Sequence, residues 1–526
     1  MRRRNLGWAV IIVLIIGILI TTIVLNSSHQ NDTLSKVANS INIDNGDQKI
    51  NWSRYQTTEI NLTTSVEITK PGIYHLTGNL NEGSVSVKVN EDEPVKLILE
   101  NASITNSSGP AITCYSGDDL VIELVGENYL SDGESYSETY DTDITGTIYS
   151  KADLTFEGDG SLTLDANYQD GIIGKDDLKF SSGTYDIAAK DDAIRGKDSV
   201  YIVNGNFTIL ANADGIKSTN ELDQGKGFVL IENGNFNFTT AAKGIKSINS
   251  ILIYGGNFAL ESTDDSIHSD NFVGILGGDI NIASGDDGIH ANRELSISGG
   301  NITISKAYEG LEAQIVTING GEISLTTNDD GINAGGGADS SANNRVGAGV
   351  FDADENCTLS INGGNIYVNS AGDGIDSNGW VYFNGGNVIV DGPTNNGNGA
   401  LDSGMGIVAN GGTVLAIGAS GMAESLSSTS TVNNVSIFLS ETQSSKTLIE
   451  IKDSAGDVII EHTSAKSFNH LAAASIDFKL GETYTLYLND EPAQTFTISS
   501  TTTAVGGNQQ TMPTGGSNQQ TMRNRR

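Results

Sequence analysis

Acidic residues recur before a Gly-Ile or similar turn about every 22 residues along the middle of this 526-residue chain. In a repeat of this kind, equivalent positions stack about 5 Å apart, and stacked like charges repel one another unless they are neutralised. Calcium accepts six to eight oxygen ligands and would neutralise them. We therefore predict Ca²⁺ on this column, first in the dense run from 264 to 330. The candidate ligands are Asp191, Asp192, Asp214, Asp264, Asp265, Asp286, Asp287, Glu309, Asp329, Asp330 and Asp373.

The acidic turns have a second interpretation that needs no metal. Asp before Gly is a common turn sequence, and a Lys or Arg on a neighbouring repeat could neutralise each carboxylate. The sequence leaves both interpretations open.

A second column lies three residues after the acids and changes from basic to acidic along the chain. Strand alternation predicts that it points away from the buried Ile, toward solvent. Basic side chains beside bound calcium could hold an acidic sugar, although simple ion pairs between repeats are the alternative. The candidate ligand-binding residues are Arg195, Lys217, Lys246, His268 and His290.

An enzymatic alternative uses part of the same set. A calcium-dependent polysaccharide lyase needs a cation on a uronate carboxylate and a base at the adjacent proton. Arg195 and Lys217 are the candidate catalytic residues for that reaction, with acids on the same two repeats. No nucleophile elbow, metalloprotease motif or phosphate loop is present, and we expect binding without catalysis.

The repeat itself predicts the fold. Apolar residues alternate within each unit, as in Phe207/Ile209 and Ile302/Ile304, which is typical of a strand with one buried face. Three short strands per unit, joined by Gly and Asn corners, predict an all-β fold, a right-handed parallel β-helix of about 22 residues per rung over residues 51–420. Roughly 13 rungs are expected. A β-propeller needs units of about 40–45 residues, and a hexapeptide helix needs a six-residue period.

The ends of the chain differ from the repeat. Arginines at 2–4 precede an apolar run from Leu6 to Leu25, which predicts a signal-anchor or transmembrane helix over 1–25, with the rest outside the cell; cleavage and secretion is the alternative. Residues 26–50 are expected to form a flexible linker, 421–500 a C-terminal β cap, and 501–526 a disordered tail.

Charge and cysteine content narrow the function further. The net charge of −36 disfavours binding to nucleic acid. Cys114 and Cys357 would lie many rungs apart, so we expect two buried, unpaired thiols. The oligomeric state is left open.

The turn Asp286-Asp287-Gly288-Ile289-His290, followed by Ile297-Ser298-Gly299-Gly300-Asn301-Ile302, resembles a bacterial family of carbohydrate-binding domain proteins. Gly421-Met422-Ala423-Glu424-Ser425 is similar to the C-terminal signature of that family. The resemblance covers roughly 55–500 and implies a pectate-lyase-like right-handed β-helix that binds cellulose and acidic plant polysaccharides with bound calcium. Lys243 departs from the acidic column.

We therefore expect a membrane-anchored, non-catalytic polysaccharide-binding protein on the cell surface, with polysaccharide and membrane as its partners and Ca²⁺ as its cofactor. A calcium-dependent lyase is the alternative. A structural adhesin, in which the rod is only a stalk, is the second alternative.

Overall fold

The computed structural model describes residues 32–41, 43, 49–335 and 353–506. The predicted transmembrane helix over 1–25 lies outside these residues, as do about half of the predicted linker and most of the predicted tail. Within the described part of the chain, no helix is long and apolar enough to cross a membrane.

Three parallel ladders of strands wind into a β-helix of about 15 turns, against the roughly 13 predicted. We name them face A, face B and face C. Four strands bend across a corner and contribute to two faces, which are Gly72–Leu80, Val95–Asn106, Ile289–Ile297 and Leu311–Ile318. The handedness of the winding stays a prediction.

The strands of face A are Thr57–Asn61, Gly72–Leu80, Val95–Asn106, Asp119–Val125, Asp153–Gly158, Asp177–Phe180, Ser199–Ile202, Phe228–Ile231, Ser250–Ile253, Phe272–Ile275, Ile289–Ile297, Leu311–Ile318, Thr358–Ile361, Trp380–Phe383 and Gly406–Ala409.

The strands of face B, which follow the acidic turns, are Val66–Ile68, Val85–Lys88, Ile112–Ser116, Gly146–Ser150, Asp170–Gly174, Ile194–Gly196, Ile216–Ser218, Ile245–Ser247, Ile267–Ser269, Ile289–Ile297, Leu311–Ile318, Ile332–Ala334 and Ile375–Ser377.

The strands of face C are Gly72–Leu80, Val95–Asn106, Glu127–Asp132, Ser161–Ala166, Thr184–Ala189, Asn206–Ala211, Asn235–Thr240, Asn257–Ser262, Asp279–Ala283, Asn301–Lys306, Glu322–Thr327, Asn365–Ser370, Asn387–Asp391 and Thr413–Gly418.

Alternation within each strand fills the interior, as predicted. Phe207, Phe236 and Phe258 occupy one inward position of face C on three consecutive rungs, and their rings stack with centroids 5.3 and 4.5 Å apart. The corner before face C needs glycine, because a Cβ on Gly278, whose φ is +108°, would lie 3.0 Å from the carbonyl oxygen of Gly256 one rung earlier. Cys114 and Cys357 are buried and unpaired, as expected.

The last rung is covered by the C-terminal region. Phe468–Ser475 pairs antiparallel with Thr413–Gly418 and with Asn434–Gln443, which in turn pairs with Thr502–Gly506. A separate small sheet consists of Val458–Thr463, Leu448–Asp453, Thr483–Leu488 and Glu491–Thr497. The cap extends to Gly506, so the first residues of the predicted tail belong to a strand.

A short helix, Asp32–Ser40, lies in the segment predicted to be a flexible linker. Its Leu34 is buried on the outside of face A against Leu230, Leu252 and Phe272. A 3₁₀ turn, Trp52–Arg54, precedes the first strand.

Candidate functional site

The acidic column forms at the turns that enter face B, and its carboxylates are tied into the backbone. In several of these acids, one oxygen accepts the backbone N–H of the equivalent residue one rung later. Asp192 accepts from Asp214 at 3.1 Å, Asp265 from Asp287 at 2.9 Å, and Asp330 from Asp373 at 2.6 Å. This gives a structural reason for an acid at this position, because a buried backbone N–H needs an acceptor. The other oxygen is left for a cation.

The second column also forms in the predicted register. Arg195 pairs across face B with Lys217, Lys217 with Lys246, Lys246 with His268, and His268 with His290. The expectation that this column points freely into solvent fails for the histidines, since His268 is 3% and His290 1% exposed. These side chains lie against the acidic turns instead.

In the first half of the rod, basic residues of the protein itself neutralise the acids. Arg195 contacts Asp170 at 2.8 Å. Lys217 bridges Asp192 at 3.2 Å and Asp214 at 2.9 Å. These contacts correspond to the ion-pair alternative, and they leave little need for calcium on those rungs.

Lys243, which replaces an acid in the acidic column, continues this series of ion pairs. Its Nζ lies 3.0 Å from Asp264 and 2.7 Å from Asp265. Oxygens of Asp264, Asp265 and Asp286 come within 4.8 Å of one another, as the prediction of a metal site requires. The lysine ammonium already contacts two of these three carboxylates, so the run expected to bind calcium first carries its own cation.

The two histidines extend the same pattern by one rung each. Their rings stack with centroids 4.9 Å apart, and His268 contacts Asp265 at 2.7 Å. Burial alone would lower the pKa of His290, but its hydrogen bonds to Asp287 and Glu312 raise that pKa to about 11. His290 therefore lies between two carboxylates as a partner that can neutralise them. Ligand atoms of Asp265, His268 and His290, and of Asp287, His290 and Glu312, also lie within 4.8 Å of one another, a geometry that could hold a metal ion.

Further along the rod, three acids lie together without a counter-ion among the described residues. Oxygens of Asp330, Asp373 and Asp376 lie within 4.8 Å of one another. Burial, and then the neighbouring carboxylates, raise the pKa of Asp330 and of Asp376 well above the ordinary value, and raise the pKa of Asp373 to about 6. Within 49–335 and 353–506, no basic side chain forms an ion pair with these three residues.

Two more carboxylates complete this cluster. Burial and the neighbouring Asp402 raise the pKa of Glu424 to about 8, and burial also raises the pKa of Asp402. Asp373 and Asp376 contribute to the shift at Glu424, which places it beside them. We call Asp330, Asp373, Asp376, Asp402 and Glu424 the acidic site. Oxygen ligands in this number, with no internal cation among the described residues, fit a hard divalent ion.

The acidic site overlaps the prediction only in Asp330 and Asp373. Asp376 and Asp402 belong to the column that was expected to bind the ligand, and the change of that column from basic to acidic was the available signal. Glu424 belongs to neither column, so no periodic signal pointed to it.

The remaining predicted residues lie near these clusters without completing a site. Asp329 adjoins Asp330 and contributes to its raised pKa. Glu309 accepts a hydrogen bond from Asn333 at 3.0 Å. Asp191 donates its backbone N–H to Gln169, and Lys246 lies half-buried between Lys217 and His268.

A second acidic group lies at another corner and was not predicted. Oxygens of Asp153, Asp176 and Asp177 come within 4.8 Å of one another. Lys226 contacts Asp177 at 2.8 Å, so this group also has an internal counter-ion.

The residues proposed for a lyase reaction are engaged in ion pairs. The contacts of Lys217 with Asp214 and Asp192 outweigh burial and raise its pKa. A base with a raised pKa holds its proton more firmly at neutral pH. The ion pairs of Arg195 and Lys217 therefore favour charge neutralisation over proton abstraction at these two residues.

Comparisons with known proteins point to one family. A family model described as carbohydrate-binding domain-containing protein matches residues 63–310 and 242–340, together more than half of the chain. A carbohydrate-binding domain-containing protein of Acetivibrio thermocellus is 35% identical over 128 residues. That match covers 24% of this chain and 45% of the relative, which is less than half of the relative's length.

One solved structure is also similar. The polysaccharide lyase-like protein from C. thermocellum, as its gadolinium derivative, is 29% identical, and the match covers 46% of this chain and 96% of that one, with a TM-score of 0.38.

Proposed function

The chain belongs to the family of carbohydrate-binding domain-containing proteins, and from that premise we propose that it is a non-catalytic polysaccharide-binding protein stabilised by calcium. The observation that carries this proposal is that the acidic column has two parts, one with internal counter-ions and one without them among the described residues. The first half of this column is neutralised by Arg195, Lys217, Lys243 and His290, whereas no basic side chain in the described part of the chain forms an ion pair with the acidic site.

Calcium fits the acidic site by charge and by ligand chemistry. Five carboxylates from successive rungs and from the start of the cap offer more oxygens than Mg²⁺ needs, and no imidazole or thiolate that would favour a transition metal belongs to the set. Here the cation would hold the last rungs of the rod to the segment that carries Glu424. It would act first as a brace of the fold.

The glycan is proposed to be a plant-type polysaccharide, cellulose or an acidic glycan such as pectate. A cation on a partly exposed carboxylate cluster can also accept a sugar carboxylate as a ligand. In that case the binding of acidic glycans would require calcium directly. The binding of neutral glycans would depend on calcium only because calcium stabilises the folded protein.

We also propose that the protein is held at the cell membrane by residues 1–25, with the β-helix outside. Six residues separate that segment from the helix Asp32–Ser40, which lies on face A near the middle of the rod. Six residues span at most about 20 Å, so a retained span would keep face A toward the membrane. Face C would remain accessible.

The test uses the full chain in mild detergent, mixed with polygalacturonate or with cellulose, first with calcium and then with EGTA. Bound protein is measured together with the ultraviolet absorbance of unsaturated sugar product in the same sample. We expect retention on at least one glycan and no product. Product that accumulates with calcium would make the protein a lyase, and the absence of retention on both glycans would refute the binding function.

A further inference from the structure

An open groove of about 400 Å³ lies on the outer surface of face C. Its walls are exposed amide side chains on consecutive strands. We call it the amide groove and define it by Asn206, Asn235, Asn237, Asn257, Ala259 and Asn281.

The strand register explains why the groove lies here. Asn237, Ala259 and Asn281 occupy one outward position on three consecutive rungs. The methyl group of Ala259 leaves a gap between two longer amide side chains. Directly beneath, the planes of Phe236 and Phe258 differ by only 8°, so the floor is regular and firmly packed.

Hydrogen bonds within the protein occupy only some of the donors and acceptors of these amide side chains. Asn235 donates to Asn206 at 2.7 Å, and Asn257 donates to Asn235 at 2.8 Å, which forms a ladder along the rod. Each amide has two N–H donors and two acceptor lone pairs, so these residues keep a donor and an acceptor for a ligand. Among the described residues, the side chains of Asn237 and Asn281 have no hydrogen-bond partner at all.

The charge of the groove disfavours anionic ligands. Among the described residues that line it, Asp279 is the single charged one, in a chain with a net charge of −36. A polyuronate or a nucleic acid would find no basic group here, and Asp279 would repel it. A protein partner would find few apolar anchors, because the aromatic rings below are buried.

We propose that the amide groove binds one chain of an uncharged polysaccharide through hydroxyl–amide hydrogen bonds. This inference rests on the proposed function and assigns it a surface separate from the acidic site. Rungs repeat about every 4.8 Å, so a sugar chain that runs along the rod meets at least one amide on each of four consecutive rungs. These amides are Asn206, then Asn235 with Asn237, then Asn257, then Asn281. Individual contacts are weak in water, and affinity comes from their repetition.

The test compares two tryptophan variants of the full chain. Ala259→Trp fills the groove from an exposed position. Thr163→Trp adds the same side chain at the equivalent exposed position four rungs earlier, outside the groove. The probes are swollen cellulose, xylan and mannan in a retention assay, and polygalacturonate as the acidic comparison.

We expect wild type and Thr163→Trp to bind at least one of the three neutral glycans equally, and Ala259→Trp to bind it about tenfold more weakly or worse. Asn237→Ala combined with Asn281→Ala should weaken binding without adding bulk. Calcium-dependent thermal stability should be the same in all variants, because the acidic site is untouched.

Two outcomes would overturn the inference. If wild type binds none of the three neutral glycans, the occupant is wrong, and calcium-dependent retention on polygalacturonate would leave the proposed function standing. If a neutral glycan binds and both groove variants retain it at wild-type strength, binding occurs elsewhere on the protein. Absence of binding to every glycan would remove the proposed function itself.

Discussion

At the scale of single residues, several of the acids in the column before the Gly-Ile turns do two things. One carboxylate oxygen accepts a backbone N–H of the next rung, as Asp192 does for Asp214. The other needs a cation, which Lys217 supplies to Asp192 in the first half of the rod and which no described residue supplies at Asp373. The same residue type is therefore part of an ion pair at one end of the column and a candidate calcium ligand at the other.

Two Asp→Asn substitutions should have opposite effects. In EGTA, Asp376→Asn should raise the free energy of unfolding by about 1 kcal/mol, because it replaces a buried acid that is crowded by like-charged neighbours with a neutral amide. It should also reduce the stabilisation that added calcium produces. Thermal melting with calcium and with EGTA measures both effects.

The matched control is Asp192→Asn, which leaves Lys217 with one carboxylate fewer. It should lower the free energy of unfolding by about 1–2 kcal/mol, equally with and without calcium. Destabilisation by Asp376→Asn in EGTA would contradict the assignment of the acidic site.

At the scale of elements, the strand Phe468–Ser475 closes the rod. It covers the last strand of face C in antiparallel orientation and so hides an edge that would otherwise pair with other chains. Asp391 connects the small sheet to the rod. It accepts a hydrogen bond from Tyr367 of face C at 2.8 Å and one from His462 of the small sheet at 3.0 Å. The cap is thus integral to the rod.

His470 lies in that closing strand and makes the cap sensitive to acid. Burial lowers the pKa of His470 to about 4, below the ordinary value of about 6.5. Between these values the unfolded chain takes up a proton that the folded chain refuses, so the free energy of unfolding falls as the pH drops from about 6.5 to about 4. Above about pH 6.5 the imidazole is neutral in both states, so His470 no longer makes the free energy of unfolding depend on pH.

The measurement is urea unfolding at several pH values, with hydrogen exchange of the strand Phe468–Ser475 as the signal that reports on the cap. His470→Gln keeps a partner for Ser436, which lies 2.8 Å from the His470 ring, and removes the titration. We expect a flatter dependence on pH for this variant between pH 4 and 6.5. An unchanged slope would assign the acid sensitivity to other groups.

At the scale of the whole molecule, one side of the rod is covered by the chain that precedes it. Leu34 of the helix Asp32–Ser40 is 5% exposed and lies on Leu230 and Leu252, which point outward from face A. Apolar side chains on the outside of a rod need such a cover, since exposed apolar patches promote association.

Leu34→Asp should release this helix from face A, because a carboxylate buried among apolar side chains is strongly unfavourable. Hydrogen exchange should then show loss of protection over residues 34–41, and dye binding should report newly exposed apolar surface, while the β-helix stays folded. Asn39→Asp, on an exposed position of the same helix, is the control and should change neither signal. Equal protection in both variants would contradict the docking of the helix.

The sequence by itself determined the β-helix and the registers of its columns. Alternation such as Phe236/Phe238 and the Gly-Gly corners are local properties, and a fixed period carries them from rung to rung. For this reason the prediction that Arg195, Lys217 and His268 belong to one column is confirmed.

Only the tertiary structure decided which acids have counter-ions. The distance of Lys243 from Asp264 depends on how two neighbouring columns approach each other at a corner, which the period does not specify. Glu424 reaches Asp402 through the irregular segment after the last repeats, and Leu34 reaches face A from outside the repeat altogether. Contacts between columns, and contacts from chain outside the repeat, are set by three-dimensional packing.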